Sequence, residues 1–298
     1  MSILWSGVFP ALMTEFNEDG SLDLDGLRHH IMSCRNAGIE GLVMLGTLGE
    51  NCSLRPDEKE IVLKTAIETC EGSIPVLSGV AEYTTELAIE HAILAQRTGC
   101  NGLMVLPSMV YQQDQREGVA HFEAIAHAVD LPIMIYNNPV SYKLDLTPES
   151  FVELSEEENI VAVKDSSHDS RRVTDMINIC GDRYTIFCGV DDLVLENLLF
   201  GAAGWVSGLV NSFPKESVAL YKLAQSGEVD KALKLYRWFM PLLHLDVHVK
   251  LVQYIKLANQ ITGEGSEWVR RPRMELIDPE RDTVMQVIQT ALETRPVL

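Results

Sequence analysis

The sequence is poor in cysteine, and its cysteines show no metal-site or disulfide pattern. None of the six belongs to a C-x-x-C pair, and no histidine cluster at metal-ligand spacing accompanies them. Neither a structural zinc site nor a disulfide framework is therefore predicted, and no metal is assigned. We expect reduced thiols in a cytosolic protein. The cysteines are Cys34, Cys52, Cys70, Cys100, Cys180 and Cys188.

Basic residues are also scarce. The 24 lysines and arginines face 43 aspartates and glutamates, which gives a formal charge of −19. Negative charge of this size repels phosphate backbones and anionic lipid surfaces. We therefore expect neither nucleic acid nor membrane as a partner. A small anionic substrate stays compatible, because a pocket can supply its own donors.

Long apolar segments are missing as well. No uninterrupted apolar run approaches the ~20 residues that a membrane-spanning helix needs. The segment from Met1 to Trp5 lacks the basic start and the long apolar stretch of a signal peptide. These features predict a soluble, cytoplasmic protein.

Short apolar runs alternate with amphipathic stretches from residue 8 to about residue 225. Runs that are apolar throughout are typical of parallel strands covered on both sides. Eight strands with intervening helices predict an α/β fold, a closed (β/α)8 barrel, and no glycine fingerprint of a doubly wound sheet follows the first strand. The predicted strands are Val8–Met13, Gly41–Leu45, Val76–Val80, Gly102–Leu106, Pro132–Tyr136, Ile160–Lys164, Tyr184–Cys188 and Gly204–Ser207. The clearest helical patterns between them are Leu24–Ala37, Glu58–Cys70, Leu87–Arg97 and Glu117–Ala128.

The strand pattern stops after Phe213-Pro214. We predict a catalytic barrel domain over residues 1–226 and a C-terminal helical region over residues 227–298. The helical patterns beyond the last strand are Lys215–Gln225, Asp230–Leu243, Val247–Ile261 and Asp282–Thr294.

The most informative residue is a lysine at a strand end. The segment Ile160-Val161-Ala162-Val163-Lys164 is an apolar strand that ends in Lys164. In a barrel, residues at the carboxyl ends of strands face the active site, and burial there favours the uncharged amine, a nucleophile towards carbonyl carbons. The alternatives are a lysine that reaches solvent or that pairs with Asp165.

Other groups with possible chemistry also follow predicted strands. The turn Gly46-Thr47-Leu48-Gly49 could bind a carboxylate through backbone N–H groups and the Thr47 hydroxyl, or it could be an ordinary strand-to-helix turn. Tyr136 and Tyr111 could transfer protons or could simply end in water. Asp191 could bind substrate hydroxyls or cap the following helix.

Four motifs carry a resemblance to a known family. The chain resembles the dihydrodipicolinate synthase / N-acetylneuraminate lyase family over essentially its full length, and the 28-residue spacing of Tyr136 and Lys164 agrees with it. The motifs are Gly46-Thr47-Leu48-Gly49-Glu50, Tyr136-Asn137-Asn138-Pro139, Val163-Lys164-Asp165-Ser166 and Gly189-Val190-Asp191-Asp192.

The resemblance implies a lyase that works through a lysine Schiff base and needs no cofactor. Lys164 would be the nucleophile and Tyr136 the proton-transfer residue. The Thr47-Leu48 turn would bind the substrate carboxylate, with Gly46 opening that turn and with Gly189 and Gly208 lining the pocket. Family members are usually tetramers built from tight dimers. Tyr111 matches a tyrosine that enters the neighbouring subunit's site in the synthase branch.

Two positions depart from the synthase pattern. Leu48 replaces the second residue of a Thr-Thr pair, which breaks a hydroxyl relay. Ser141 stands where the synthase has an arginine that binds the carboxylate of the second substrate, and Lys143 lacks the planar fork for that role.

The chain resembles family members of 4-hydroxyproline breakdown in the turn Gly46-Thr47-Leu48-Gly49-Glu50-Asn51 and in Lys250-Leu251-Val252-Gln253 and Arg270-Arg271-Pro272-Arg273. We therefore expect a 1-pyrroline-4-hydroxy-2-carboxylate deaminase. The alternatives are a 2-keto-3-deoxy sugar acid aldolase or dehydratase, the dihydrodipicolinate synthase itself, and a non-catalytic protein that binds a 2-oxo acid.

Overall fold

The computed structural model describes residues 5–298, and in this range a parallel sheet of eight strands forms the centre of the fold. The predicted (β/α)8 barrel is confirmed. Every predicted strand is present, with bounds that differ by at most three residues at either end. The strands are β1 (Gly7–Pro10), β2 (Leu42–Met44), β3 (Val76–Val80), β4 (Gly102–Val105), β5 (Ile133–Asn137), β6 (Ile160–Asp165), β7 (Thr185–Cys188) and β8 (Gly204–Ser207).

The strands pair in parallel, each with its sequence neighbour. The order of pairing runs from β2 through to β8, and β8 then pairs with β1. A parallel bridge between Ala11 and Val43 joins β1 to β2 and closes the ring. Strand side chains are buried almost throughout, which explains why the strand sequences are apolar rather than alternating.

Helices connect the strands and form the outer layer. Those that lead from one strand to the next are α1 (Leu24–Ala37), α2 (Pro56–Cys70), α3 (Thr85–Thr98), α4 (Gln115–Ala126), α5 (Pro139–Tyr142), α6 (Pro148–Glu153), α7 (Arg171–Cys180) and α8 (Val194–Leu199). Those that follow β8 are α9 (Pro214–Gln225), α10 (Val229–Asp246), α11 (Leu251–Thr262) and α12 (Glu280–Glu293). Short 3-10 turns occur at Asn51–Ser53, Leu154–Glu156, Asp191–Leu193 and Leu209–Asn211.

Local capping explains several helix bounds. The Asp23 carboxylate accepts a hydrogen bond from the N–H of Gly26 at the start of α1, and Gly38 ends that helix at a φ of 94°. Proline occupies the first turn of α2, where a missing N–H costs nothing.

The C-terminal helices depart from the predicted bounds at one junction. Helix α10 continues to Asp246 instead of ending at Leu243, and α11 begins at Leu251 instead of Val247. The residues between them form a connection in which the side chain of Val249 is 90% exposed. Because this connection crosses the mouth of the barrel, a continuous helix from residue 247 was a wrong prediction. The division into a barrel and a C-terminal region at residue 226 stays a prediction.

A buried ion pair ties the C-terminal region to the barrel. The Lys256 Nζ atom on α11 lies 3.1 Å from Glu50 Oε1, and neither side chain has any exposed surface. The same ammonium group donates to the carbonyl oxygens of Thr14 and Trp268, at 2.8 and 2.5 Å. Because Glu50 follows directly on the turn that contains Thr47, this pair couples the C-terminal helices to the second strand-to-helix loop.

Two further findings concern the composition-based predictions. All six cysteines are free thiols. No helix within residues 5–298 is both long and apolar enough to cross a membrane. The interpretation of the first residues as lacking a signal peptide concerns a segment that, up to Leu4, lies outside the described residues.

Replacing Lys256 tests the buried pair. Lys256→Met removes the closer of the two cations of the buried Glu50 carboxylate and leaves only Arg273, whose Nη1 atom lies 3.6 Å from Glu50 Oε2. We therefore expect the free energy of unfolding to fall by up to about 3–5 kcal/mol. The control is Lys250→Met, since Lys250 pairs with Glu280 at an exposed site where such pairs contribute ~0–1 kcal/mol. Urea denaturation followed by circular dichroism measures both. Equal losses in the two variants would contradict the coupling, and adding Glu50→Gln to Lys256→Met should restore part of the loss.

Candidate active site

A cavity of about 580 Å³ opens at the carboxyl ends of the strands. Its walls come from the loops after several strands and from the connection between α10 and α11. This is the end of a (β/α)8 barrel at which active sites lie, because loops from different strands converge there.

Lys164 and Tyr136 face each other across neighbouring strands. They are directly opposed in the register of β5 and β6, so both side chains project towards the same face of the sheet. The Lys164 Nζ atom lies 4.0 Å from the centroid of the Tyr136 ring. Lys164 is 6% and Tyr136 7% exposed, and both line the cavity. The structure thus brings together the predicted nucleophile and the predicted proton-transfer group.

The neighbouring carboxylate does not pair with the lysine. Successive residues of a strand point to opposite faces, so Asp165 is directed away from Lys164. The Asp165 carboxylate accepts hydrogen bonds from Ser167 Oγ at 2.6 Å and from Asn137 Nδ2 at 3.2 Å. Burial raises the pKa of Asp165, although these hydrogen bonds oppose the shift. The ion-pair and solvent-exposed alternatives for Lys164 both disagree with this arrangement.

The turn after β2 presents Thr47 and Leu48 to the cavity. The Asn51 side-chain amide donates to the Leu45 carbonyl at 3.0 Å and holds the turn from beneath. Gly49 is needed there, because a Cβ atom would lie 2.9 Å from the Leu45 nitrogen. Gly46 begins the turn but is not part of the cavity wall. A Cβ atom at this position would lie 3.4 Å from Met104 Cε.

The partner of the Thr47 hydroxyl is a tyrosine that sequence reasoning did not assign. Thr47 Oγ1 and the Tyr142 hydroxyl lie 2.6 Å apart. The Tyr142 ring also contacts Tyr136 edge to face, with centroids 5.7 Å apart. Burial and the neighbouring Tyr136 raise the pKa of Tyr142, so its hydroxyl keeps its proton. The usable signal was an aromatic hydroxyl in the loop directly after a strand that ends in a candidate catalytic residue.

Asn138 fixes the geometry of this aromatic pair. Its side-chain N–H donates to the Tyr136 hydroxyl at 3.0 Å, and its side-chain oxygen accepts from the Ser141 N–H at 3.0 Å. Asn138 therefore both positions Tyr136 and caps α5, the short helix that delivers Tyr142.

Gly189 lies against the stem of the lysine. A Cβ atom at this position would be 2.8 Å from Lys164 Cε and 2.2 Å from Ser166 Oγ. Glycine is thus required for the lysine to take its position. The buried Ser166 hydroxyl has no hydrogen-bond partner among residues 5–298, and it lines the cavity as a free donor and acceptor.

The structure places Asp191 in a different role from the predicted one. The residue is fully buried and does not belong to the cavity wall. Its two carboxylate oxygens accept hydrogen bonds from Trp205 Nε1 at 3.0 Å, Ser207 Oγ at 2.7 Å and the Leu209 N–H at 3.0 Å. Three donors from β8 and the turn after it therefore bind the carboxylate and tie it to β8, and the residue lies outside the cavity wall where a substrate hydroxyl would be. Burial raises the pKa of Asp191 to about 6 against these hydrogen bonds.

Tyr111 is also separate from the cavity of its own chain. Its side chain is 60% exposed, and its hydroxyl donates to Glu117 Oε1 at 3.0 Å. The Glu117 carboxylate raises the pKa of Tyr111. A place for this tyrosine in the site of its own chain would therefore require a different conformation.

Gly208 lines the cavity as expected and makes room for a carboxyl group that the sequence did not reveal. A Cβ atom on Gly208 would lie 1.8 Å from Asp246 Oδ1 and 2.4 Å from Leu48 Cδ1. Asp246 is the last residue of α10 and is part of the cavity wall. Nothing in the sequence around it marked it, because it reaches the site from a helix far along the chain.

Within the described chain, no group of three or more histidine, cysteine, aspartate or glutamate side chains is arranged to hold a metal ion. The site instead contains an amine, phenol and alcohol groups, and one half-buried carboxyl group.

Solved structures with the same architecture come from several bacteria. A dihydrodipicolinate synthase from Bacillus anthracis superposes with a TM-score of 0.92 at 28% identity, covering 97% of this chain and 99% of that one. A prophage protein of the dihydrodipicolinic acid synthase family from E. coli K12, solved in complex with pyruvate, gives 0.91 at 29% identity and the same coverage.

Proteins similar in sequence are named as synthases of the same kind. The 4-hydroxy-tetrahydrodipicolinate synthase of Methanospirillum hungatei is 31% identical over 289 residues, which span 96% of this chain and 99% of the relative. The enzyme of that name from Exiguobacterium sibiricum is 34% identical over 240 residues, 80% of this chain and 82% of the relative. Residues 4–291 match the Dihydrodipicolinate synthetase family. The chain belongs to this family of Schiff-base lyases.

Proposed function

We propose that Lys164 forms the Schiff base with the 2-oxo carbon of a small carboxylic acid. The observation that carries this is the buried amine of Lys164 in the cavity wall, 4.0 Å from the centroid of the Tyr136 ring. The neutral amine adds to the carbonyl carbon, and the resulting carbinolamine loses water to give the imine. The imine draws electrons from the adjacent carbon, which can then lose a proton to give an enamine.

Tyr136 is suited to move protons in these steps. Its hydroxyl accepts a hydrogen bond from Asn138, so its O–H group is available to donate to a substrate. Because Tyr136 and Lys164 are opposed in the register of two rigid strands, the phenol is held beside the reacting carbon rather than found by diffusion.

The substrate carboxylate is assigned to the turn containing Thr47 and Leu48. In this chain the Thr47 hydroxyl is paired with Tyr142, which lies on the same protein chain. A Thr47–Tyr142 hydroxyl pair can donate towards a carboxylate while Tyr142 stays in ring contact with Tyr136. We propose that it replaces the relay that Leu48 interrupts.

The names of the relatives bear on which reaction follows the formation of the Schiff base. They support 4-hydroxy-tetrahydrodipicolinate synthase, one of the alternatives from the sequence, better than the hydroxyproline deaminase expected first. The first candidate reaction is therefore the condensation of Lys164-bound pyruvate with aspartate semialdehyde.

A second candidate is favoured by the cavity itself. Ser141 occupies the position of the expected arginine, and no arginine is among the described residues that line the cavity. The wall contributes the carboxyl group of Asp246 instead. A substrate with one carboxylate and a hydroxyl group, such as 1-pyrroline-4-hydroxy-2-carboxylate or a 2-keto-3-deoxy sugar acid, fits these groups.

A homotetramer is the proposed assembly. Tyr111 and Val110, which is 92% exposed, lie on the surface after β4, where a neighbouring subunit could cover them. Cytoplasmic location stays a prediction from composition. Analytical ultracentrifugation tests the assembly, because a tetramer has about four times the mass of the chain.

Borohydride trapping tests the Schiff base. Incubation with pyruvate and borohydride should attach one pyruvate-derived group to Lys164, located by peptide mass mapping. Lys164→Ala should lose both the adduct and turnover, whereas Lys231→Ala, at an exposed position on α10, should keep both. A non-catalytic binding protein would give no adduct, and an adduct that survives in Lys164→Ala would contradict the assigned nucleophile.

Removing one hydroxyl tests the proton-transfer role. We expect Tyr136→Phe to lower turnover by ~10²-fold or more, as for loss of a positioned proton donor. Tyr83→Phe changes a tyrosine that is 55% exposed and outside the cavity, and it should leave turnover unaltered. If Tyr136→Phe turned over substrate about as fast as Tyr83→Phe, the proton-transfer role of Tyr136 would be contradicted.

A substrate panel separates the two candidate reactions. Pyruvate with aspartate semialdehyde, 1-pyrroline-4-hydroxy-2-carboxylate and 2-keto-3-deoxy sugar acids are assayed at equal enzyme concentration. The synthase reaction should consume pyruvate only when the semialdehyde is present. Turnover confined to the hydroxylated monocarboxylates would overturn the synthase assignment, and product formation that Lys164→Ala leaves intact would overturn the mechanism.

A further inference from the structure

Asp246 is a half-buried residue that reaches the active-site cavity from the C-terminal region and whose Oδ1 atom is enclosed. It ends α10, whose inner face is held in the core by Leu242, Leu243 and Leu245. Asp246 lines the cavity, and its Oδ1 atom has no hydrogen-bond partner within the described part of the chain. A buried carboxyl oxygen without a partner is uncommon in folded proteins, because burial removes its water.

The surrounding residues leave space for this carboxyl group. A Cβ atom on Gly208 would overlap Asp246 Oδ1, at 1.8 Å. Glycine at position 208 is thus what allows the end of α10 to approach β8 and the leucine at position 48. The group is held against the wall by the backbone rather than by an ion pair.

The electrostatics favour a protonated carboxyl group. Burial and the nearby Asp191 carboxylate raise the pKa of Asp246 well above its usual range, and Lys164 and the Gly208 N–H only partly oppose them. A protonated carboxyl group both donates and accepts hydrogen bonds, as a hydroxyl group of a ligand also does.

The same wall is poorly suited to a second carboxylate. Among the described residues, the basic side chains that line it are Lys164, which the Schiff base consumes, and the imidazole rings of His168 and His248, and none of them is an arginine. A carboxylate next to Asp246 would meet an acidic group where a guanidinium fork would be needed.

We propose that Asp246 is a specificity residue that hydrogen-bonds a hydroxyl group of the substrate beyond the imine carbon. The substrate class is a 2-oxo or cyclic 2-imino monocarboxylic acid with a hydroxyl group two carbons from the imine. This inference rests on the proposed Schiff base, because the bond to Lys164 fixes one end of the substrate in the cavity that Asp246 also lines.

The test uses two ligands that differ by one hydroxyl group. For 4-hydroxy-2-oxopentanoate and 2-oxopentanoate, we measure the concentration that halves borohydride trapping of isotope-labelled pyruvate at Lys164. The wild-type chain should prefer the hydroxylated compound by about tenfold or more, as in sites that bind a substrate hydroxyl through buried polar groups. Asp246→Ala should reduce the preference to within about twofold, and Asp246→Asn should keep part of it, because an amide still donates and accepts.

Two further variants keep the test decisive. Gly208→Ala should also lower the preference, since the added methyl group displaces the carboxyl group without altering its chemistry. Asp230→Asn removes an exposed carboxylate from the start of the same helix and should leave the preference unchanged. Circular dichroism checks that each variant is folded. If the Asp246 variants are not folded, the inference is judged from the preference for the hydroxylated compound in the wild-type chain and in Gly208→Ala.

The outcomes distinguish this inference from the proposed function. If pyruvate is not trapped at Lys164 in the wild-type chain, the proposed function fails. If pyruvate is trapped but the wild-type chain shows no preference for the hydroxylated compound, the inference is overturned. A preference that persists undiminished in Asp246→Ala overturns it as well.

Discussion

The register between β5 and β6 is the constraint on which the site depends. It sets Tyr136 opposite Lys164, so that a phenol and an amine share one face at the inner end of the cavity. A shift of one residue between the two strands would place Tyr136 and Lys164 on opposite faces of the sheet. The next pair in register, Asn137 and Asp165, is directed outwards and bonded to each other, which fixes the register from the opposite side. The closeness of the Lys164 amine to the Tyr136 phenol thus follows from the pairing of the two strands.

The C-terminal helices complete the site rather than merely covering the barrel. The buried Lys256–Glu50 pair joins α11 to the loop that contains Thr47, and the end of α10 contributes Asp246 to the cavity wall. A buried charge is costly when it has no partner. The Lys256–Glu50 pair therefore stabilises the fold only when α11 is packed against the barrel. In the proposed site, substrate selection therefore depends on a region outside the eight strands, whereas the position of Lys164 depends on the pairing of β5 with β6 and on Gly189 after β7.

The sequence predicted the local features and missed those that depend on distant parts of the chain. Apolar strand runs and an end-of-strand lysine are local, and Lys164, Tyr136, Thr47, Leu48, Gly189 and Gly208 all lie where expected, around the cavity. Asp191 was misplaced because its partners, Trp205 and Ser207, lie on the next strand and could not be read from the motif. Asp246 was missed because no spacing rule relates the end of a late helix to Lys164. Tyr142 was missed because the aromatic hydroxyl that follows β5 was given no role.

The central claim is that a 2-oxo acid becomes covalently bound to Lys164. A crystal structure of the chain soaked in pyruvate tests it most directly. The account predicts continuous electron density from the Lys164 Nζ atom to the second carbon of pyruvate, with the carboxylate at the Thr47 turn. Pyruvate bound without a covalent link, or attached to another lysine, would contradict it.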